Sequence, residues 1–367
     1  MAIAAGTSGG LVFAENTRRC HTAQPPSQDI AMSTDSLFRT TRRSILRRLT
    51  GLGLAACAVG AANSVLAQGV RKRLATKLKI VIPGGARSNL DEAGRALGDS
   101  LVVLGLCDEI EYENHDGKGG ALAPTYYAGK YAQDPDALLL ADTSQVGAMV
   151  LHAPAVDLSR FNPIARLTSD YPVVVVRANS PIKTAADLAM VMKTAAQTVR
   201  IGIGSLGGVD HVVAGLLAQA AGSSLAATNF VPFARNFELV DALAGNSLTV
   251  AVSGYRTFGA DVASGRLRAL GVSSRKSAYG LRPLREQGLN VDLANWRAVF
   301  TGAGVSKSRQ AEMVEALRSV VNDESWKKTL RQNYWDAAWL VGPDLVSALD
   351  IDIRTLQLAV QLLNLKM

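Results

Sequence analysis

A chain of 367 residues suggests about two domains of roughly 100–200 residues each. With 48% apolar residues a full core can form, and 33 glycines with few aromatics favour an α/β chain of many strand–helix turns over a β-sandwich. The net charge is +8, but half of the excess lies in residues 1–67; residues 68–367 hold 32 basic and 28 acidic side chains without a basic stripe, which argues against nucleic acid as a partner.

The first segment reads as an export signal. Thr41-Arg42-Arg43-Ser44-Ile45-Leu46-Arg47 is a twin-arginine pattern, and the weakly apolar, Ala- and Gly-rich stretch from Leu49 to Leu66 follows it. Asn63 and Ser64 interrupt that stretch, which suits a secretory signal better than a membrane span of ~20 strongly apolar residues. Val65-Leu66-Ala67 presents small or apolar residues to a signal peptidase, so cleavage is expected after Ala67 and the mature protein is expected in the periplasm. Leu54-Ala55-Ala56-Cys57 also matches a lipoprotein box, but the apolar run before Cys57 is short, and ordinary cleavage is preferred. Met32 is an alternative start that would bring the arginines near the N-terminus. Of Cys20, Cys57 and Cys107, cleavage leaves only Cys107, which excludes an intramolecular disulfide and reads as a small buried hydrophobe.

In chain order, a strand is predicted at 78–82. Asn89 is the expected cap of the next helix, with Glu92 completing a capping-box-like pair, and Leu90, Ala93, Leu97, Leu101 and Leu104 form its buried face. Strands follow at 110–114 and 137–141 around a helix near 121–132. A strongly β-branched strand occupies 171–177. Beyond it come a helix at 188–196, a strand at 199–203, a helix at 212–221 stopped by Gly222, a strand end at 230–233, and a helix at 239–244 stopped by Gly245. Strands at 248–253, 267–273 and 296–303 precede a largely helical remainder. The alternation predicts two lobes, each a mostly parallel sheet flanked by helices, with a cleft between them. Lobe 1 is expected to span 78–176 plus 296–367 and lobe 2 to span 177–295.

Three loops share one design, a strand followed by small residues and a helix: Pro83–Asn89, Gly204–Asp210 and Pro232–Asn236. Such loops lie at the carboxyl ends of strands, where α/β sheets bind ligands, and the helix starts offer N–H groups to an anion. Arg87 and Arg235 stand inside two of them. Gly202-Ile203-Gly204-Ser205-Leu206-Gly207 matches G-x-G-x-x-G, but no acid follows about 20 residues on to hold a ribose, so no dinucleotide cofactor is expected. His211 beside Asp210 reads as a helix-start residue that packs or caps rather than a general base. His115 and His152 lack metal-ligand spacing, and no paired-carboxylate site is visible; neither metal nor catalytic residues are expected. Trp326, Tyr334, Trp335 and Trp339 read as lobe core beside a C-terminal helix rather than a ligand shelf.

The ordered set of motifs resembles one family. Ile80-Val81-Ile82-Pro83-Gly84-Gly85, Gly117-Lys118-Gly119-Gly120, Leu167-Thr168-Ser169-Asp170-Tyr171, Ser180-Pro181-Ile182-Lys183, Gly204 to His211, Val231-Pro232-Phe233-Ala234, Ser253-Gly254-Tyr255, Gly265 to Leu270 and Ala294-Asn295-Trp296-Arg297 together resemble the periplasmic solute-binding receptors of tripartite tricarboxylate transporters, the Bug-type receptors. The resemblance implies a periplasmic-binding-protein (Venus flytrap) fold and a monomer that is not an enzyme. It implies a small organic acid, a di- or tricarboxylate, as ligand, and membrane permease subunits as partners. Carried over by position, the contacts would come from Ala86, Arg87, Ser88 and Asn89, from Thr143 and Ser144, from Ser205, Gly207 and Gly208, and from Ala234, Arg235 and Asn236.

Two places depart from the family. Ala86-Arg87-Ser88-Asn89 and Arg235-Asn236-Phe237 stand where it tends to glycine. Their bulk either fills the ligand space or supplies two guanidinium forks, reaching in from opposite sides, to a multiply charged anion. A receptor that signals to a sensor rather than feeding a permease is the alternative reading.

Overall fold

The computed structural model describes residues 72–364. The twin-arginine pattern, the cleavage position after Ala67 and Cys57 lie outside them. Within them the order is β1 (Lys77–Pro83), α1 (Asn89–Val103), β2 (Glu109–His115), α2 (Ala123–Tyr131), β3 (Ala137–Asp142), α3 (Thr143–His152), β4 (Asn162–Asp170) and β5 (Pro172–Arg177). Then come α4 (Ala185–Thr194), β6 (Arg200–Ile203), α5 (Val209–Ala220), β7 (Asn229–Pro232), α6 (Asn236–Ala244), β8 (Val250–Gly254), α7 (Tyr255–Ala263) and β9 (Leu267–Val272). The chain closes with β10 (Asn295–Thr301), α8 (Lys307–Asn322), α9 (Glu324–Asn333), β11 (Asp336–Leu340) and α10 (Gly342–Leu362).

The strands form two sheets, in the orders β11-β4-β10-β3-β1-β2 and β7-β6-β8-β5-β9. β1 shows why both faces of the first sheet are covered. Its Leu78, Ile80 and Ile82 pack into a core with α1, α8 and α9, while Val81 points into the opposite core with α2, α3 and α10. The second sheet is covered by α4 and α5 on one face and by α6 and α7 on the other. Trp326 and Trp335 lie in the first core, with Trp339 packed against it, as lobe core. Tyr334 instead projects as a left-handed residue after α9 and meets Tyr255 and Tyr279 edge-on. Cys107 is buried, and burial raises its thiol pKa.

Each sheet is mixed. β1, β2 and β3 run parallel, whereas β10 is antiparallel to β3 and β4, and β4 is antiparallel to β11. In the second sheet β6 runs parallel to β7 and β8, and β5 is antiparallel to β8 and β9. β5 and β10, the strands that enter each sheet after a crossing, run antiparallel to both their neighbours, and β11, formed within the first lobe, is likewise antiparallel to β4. The expected lobe boundary after residue 176 also moves. β5 pairs with β8 and β9, so 172–177 belongs to the second sheet and the crossing occurs at Tyr171. β4, α3 and β11 were not anticipated. β4 begins Asn-Pro and alternates only partly, and β11 (Asp-Ala-Ala-Trp-Leu) is a half-exposed edge strand with weak strand character.

Candidate functional site

Between the two sheets lies a cavity of about 780 Å³. Its wall is built from the carboxyl ends of β1, β3, β6 and β7, with Asp170 and Pro172 at one crossing and Asn295 at the other. This is the position that open α/β sheets reserve for ligands. All three loops singled out in the sequence meet there, and Ala86, Arg87, Ser88, Asn89, Ser144, Ser205, Ala234, Arg235 and Asn236 line it. Thr143, Gly207 and Gly208 do not.

The first loop departs from its expected capping by one residue. Ser88, not Asn89, caps α1: its hydroxyl accepts the Asp91 N–H at 3.2 Å. A β-region serine followed three residues later by an acid is the better cap here because the Asp91 carboxylate turns back to the Arg87 N–H, at 2.8 Å. That bond holds Arg87 at φ 67, a left-handed conformation disfavoured for a side-chain-bearing residue. Asp91 is buried. Burial alone would raise its pKa, but the Arg95 guanidinium, the Arg87 N–H and the Asn114 amide together outweigh it, so the carboxyl stays below its ordinary value and ionised.

The residues released from capping join the lobes. The Asn236 amide donates to Asn89 Oδ1 across the cleft at 2.9 Å, and Glu92 pairs with Arg256 of α7. On the other side of the cavity, the Ser144 hydroxyl accepts the Val209 N–H at 3.2 Å. There α3 and the loop before α5 approach so closely that a Cβ on Gly147 would sit 2.0 Å from the Gly207 carbonyl oxygen.

Thr143 is occupied by structure. Its buried hydroxyl donates to the Ala294 carbonyl and accepts the Trp296 N–H, both at 3.0 Å, which anchors the start of β10. Gly207, at φ 79, donates its N–H to His211 Nδ1 at 3.0 Å, and Gly208 donates to the Ser205 carbonyl at 3.1 Å. His211 is therefore a packed, capping imidazole. Burial pushes its pKa down to about 4, it meets Phe230 edge-on at 4.6 Å, and it is neutral at physiological pH.

Neither arginine reaches the interior. Arg87 lies exposed at the mouth. The Arg235 guanidinium turns outward to Glu238, with Nη2 at 2.6 Å and Nε at 2.9 Å from Oε1, and lies over the Phe237 ring. A local i,i+3 acid and an aromatic face hold that charge at the helix start. The expected forks on opposite sides of a buried anion are thus groups at the rim, where exposed Arg87 and Lys118 stand with exposed Asp116 and Arg235 is paired with Glu238.

The floor carries what sequence reasoning missed: Asp142, Asp170 and Asp210, all buried. Asp170 is paired with the buried Arg297 at 3.0 Å. Asp142 caps α3, accepting the Gln145 N–H at 2.8 Å. Burial pushes its pKa up to about 6 against the pull of that bond and of Arg297. Asp210 is pushed up to about 7, first by burial and further by the charges of Asp170 and Asp142. Hydrogen bonds from the Ser253 hydroxyl and the Gly204 N–H act the other way. Asn295 adds a buried side-chain oxygen, Oδ1, without a hydrogen-bond partner. An apolar strand ending in Asp was the available signal for Asp142; Asp210 closes one of the three loops singled out in the sequence but reads there only as a helix-start residue, and Asp170 stands in the Leu167–Tyr171 motif without a role assigned. Among the described residues no group of three or more His, Cys, Asp or Glu is placed to hold a metal.

Comparison with known proteins bears on the family and the fold. The sequence model of the tripartite tricarboxylate transporter family receptors (TctC) matches residues 102–341. The UPF0065 protein of the TAR-I ttuE-ttuC' intergenic region of Agrobacterium vitis is 23% identical over 253 residues, 66% of this chain and 71% of that one. MatC from Rhodopseudomonas palustris, solved with bound malate, superposes with a TM-score of 0.66 at 19% identity, covering 77% of this chain and 98% of its own. A second R. palustris protein, solved with adipate, gives 0.69 at 17% identity, covering 79% and 98%. These likenesses establish the two-lobed fold of the periplasmic binding proteins.

Proposed function

The chain belongs to the tripartite tricarboxylate transporter receptor family, and from that premise we propose that it captures a small organic di- or tricarboxylate between its lobes in the periplasm and delivers it to membrane permease subunits. The observation that carries the reading is the convergence of three helix-start loops on one inter-lobe cavity. α6 begins without a side-chain cap, so first-turn N–H groups remain for a ligand oxygen. The Ser88 and Ser205 hydroxyls stand at the starts of α1 and of the loop before α5, and the exposed cations at the rim favour the entry of an anion. Malate and adipate in the two related structures are both dicarboxylates, which supports the ligand class. The proposed action is capture and release, not turnover: His211 is held neutral and engaged by Gly207.

A thermal-shift series on the purified protein tests this, using malate, adipate, citrate and their amino-substituted analogues, with phosphate as control. A ligand that binds only the folded state raises the melting temperature with dose. A rise with at least one organic acid supports the reading; a flat response to every carboxylate refutes it.

A further inference from the structure

We propose that Tyr255, Tyr279 and Tyr334 form an aromatic clasp that holds the two lobes closed over the cavity, acting as positioning residues for ligand capture without touching the ligand. The inference rests on the receptor reading above and names what sets the balance between open and closed lobes.

The clasp joins segments that belong to different lobes. Tyr334 follows α9 and precedes Trp335, and Trp326, Leu330 and Trp335 all lie in a core of lobe 1. Tyr255 opens α7 and Tyr279 stands in the connection between β9 and β10; both pack against a core of lobe 2. The Tyr255 and Tyr279 rings stack at 4.6 Å with their planes 14° apart. The Tyr334 ring meets this pair edge-on, 4.9 Å from Tyr255 and 6.2 Å from Tyr279. Stacked and edge-to-face rings at such distances attract beyond the area they bury. The Tyr279 hydroxyl adds a polar tie. It donates to the Tyr334 carbonyl at 3.1 Å and accepts the N–H of Tyr171, the crossing residue, at 3.2 Å. One side chain of lobe 2 thus binds both lobe 1 and the crossing.

The backbone shows that these side chains are held by their contacts. Tyr279 and Tyr334 both have φ 57, a left-handed conformation that a Cβ disfavours. Tyr334 is the left-handed cap that ends α9, a place where glycine is usual. Such residues persist where the surroundings over-determine them, and they cluster at clamps and switches. Tyr334 also turns away from its own lobe: it is 44% exposed, whereas Trp335 beside it is buried.

The clasp is tied to the cavity through the chain. Tyr171 lies between Asp170 and Pro172, and Tyr255 follows Gly254; Asp170, Pro172 and Gly254 line the cavity, whereas the four tyrosines do not. Asp170 of lobe 1 and Gly254 of lobe 2 approach so closely that a Cβ on Gly254 would sit 2.9 Å from Asp170 Oδ2. Rotation of one lobe about the crossing at Tyr171 therefore moves the cavity wall and parts Tyr334 from Tyr255 and Tyr279 in one motion. Ring contacts are short-ranged, so they are made in the closed arrangement and lost in the open one. By favouring the closed lobes, the clasp slows the escape of a captured ligand.

Tyr334→Gly tests the inference. It deletes the ring and puts at the end of α9 the residue that best tolerates a left-handed backbone, so the lobe keeps its fold. Small-angle X-ray scattering of the ligand-free variant should give a larger radius of gyration than the wild type. Stopped-flow titration with malate and adipate should show dissociation about tenfold faster, with association little changed. Tyr334→Phe, which keeps the ring, should restore the wild-type radius and dissociation rate. Tyr279→Phe, which removes both hydrogen bonds and keeps the stack, should fall between. An unchanged radius of gyration in Tyr334→Gly would overturn the clasp. Equal effects of the Gly and Phe variants at 334 would overturn it as well, because the ring would then not be the acting group. Scattering decides the matter even where neither acid binds the wild type; that failure would count against the dicarboxylate reading alone.

Discussion

Replacing Asp210 with Asn should stabilise the protein by an amount that grows as pH rises from 5 to 8.5. Burial lifts this carboxyl from an ordinary 3.8 to about 7. A group whose folded pKa lies above its unfolded pKa binds more protons in the folded state. Its stabilisation is complete below the unfolded value and is lost as pH rises through the folded one. The gap between the two values corresponds to about 4 kcal/mol lost by pH 8 to 9, at about 1.4 kcal/mol per pH unit. Asp142, pushed up to about 6, adds a smaller loss in the same direction. Asn keeps an oxygen for the Gly204 N–H and removes the titrating charge. Urea unfolding at pH 5, 7 and 8.5 measures the effect. The wild type should weaken steadily across this range, and the variant's advantage should widen by about 3 kcal/mol between pH 5 and pH 8.5. An identical pH slope for the two proteins would refute the assignment of a buried, uncompensated carboxyl at 210.

Two further outcomes follow from the rim and the lobe contact. Arg87→Ala should lower carboxylate affinity by no more than about threefold, mainly through slower association, because its guanidinium is exposed and screened; a loss of a hundredfold or more in stopped-flow or equilibrium titration would place it inside the site after all. Gly147→Ala should lower the melting temperature of the protein, because its Cβ would sit 2.0 Å from the Gly207 carbonyl oxygen where the lobes approach, and a backbone atom cannot step aside without the lobes parting; an unchanged melting temperature in a thermal-unfolding scan would show that this contact yields freely.

The ligand-side loops were legible because their signals are local. Pro83-Gly84-Gly85 after an apolar strand, Gly204 to Gly208, and Pro232 to Asn236 each announce a strand end and a helix start in consecutive residues, and the structure brings all three to one cavity. Two strands of the first sheet were less legible, since β4 and β11 owe their pairing to neighbours far away in the chain. Charge was readable but its direction was not. Arg235 found Glu238 and Phe237 within its own helix start, and no pattern in the sequence ranks that partner against an unknown ligand.

The three floor carboxylates show the limit most sharply. Asp142 is a sound helix cap, Asp170 ends a strand, and Asp210 sits in the first turn of α5, so each satisfies a local rule at its own position. Only the two mixed sheets, facing each other across the crossing at Tyr171, place them together at the base of one cavity with a single arginine among them. The same lesson runs through the first loop. Asn89 and Glu92 have the spacing of a capping pair, but Ser88 and Asp91 perform that task one residue earlier. Asn89 and Glu92 are thereby left to bind Asn236 and Arg256 on the other lobe. A one-residue shift in capping thus turns two helix-start residues into the contacts that hold the lobes together at the cleft mouth. The buried carboxylates at the floor and the lobe contact at the mouth are both tertiary properties assembled from residues whose local roles are ordinary.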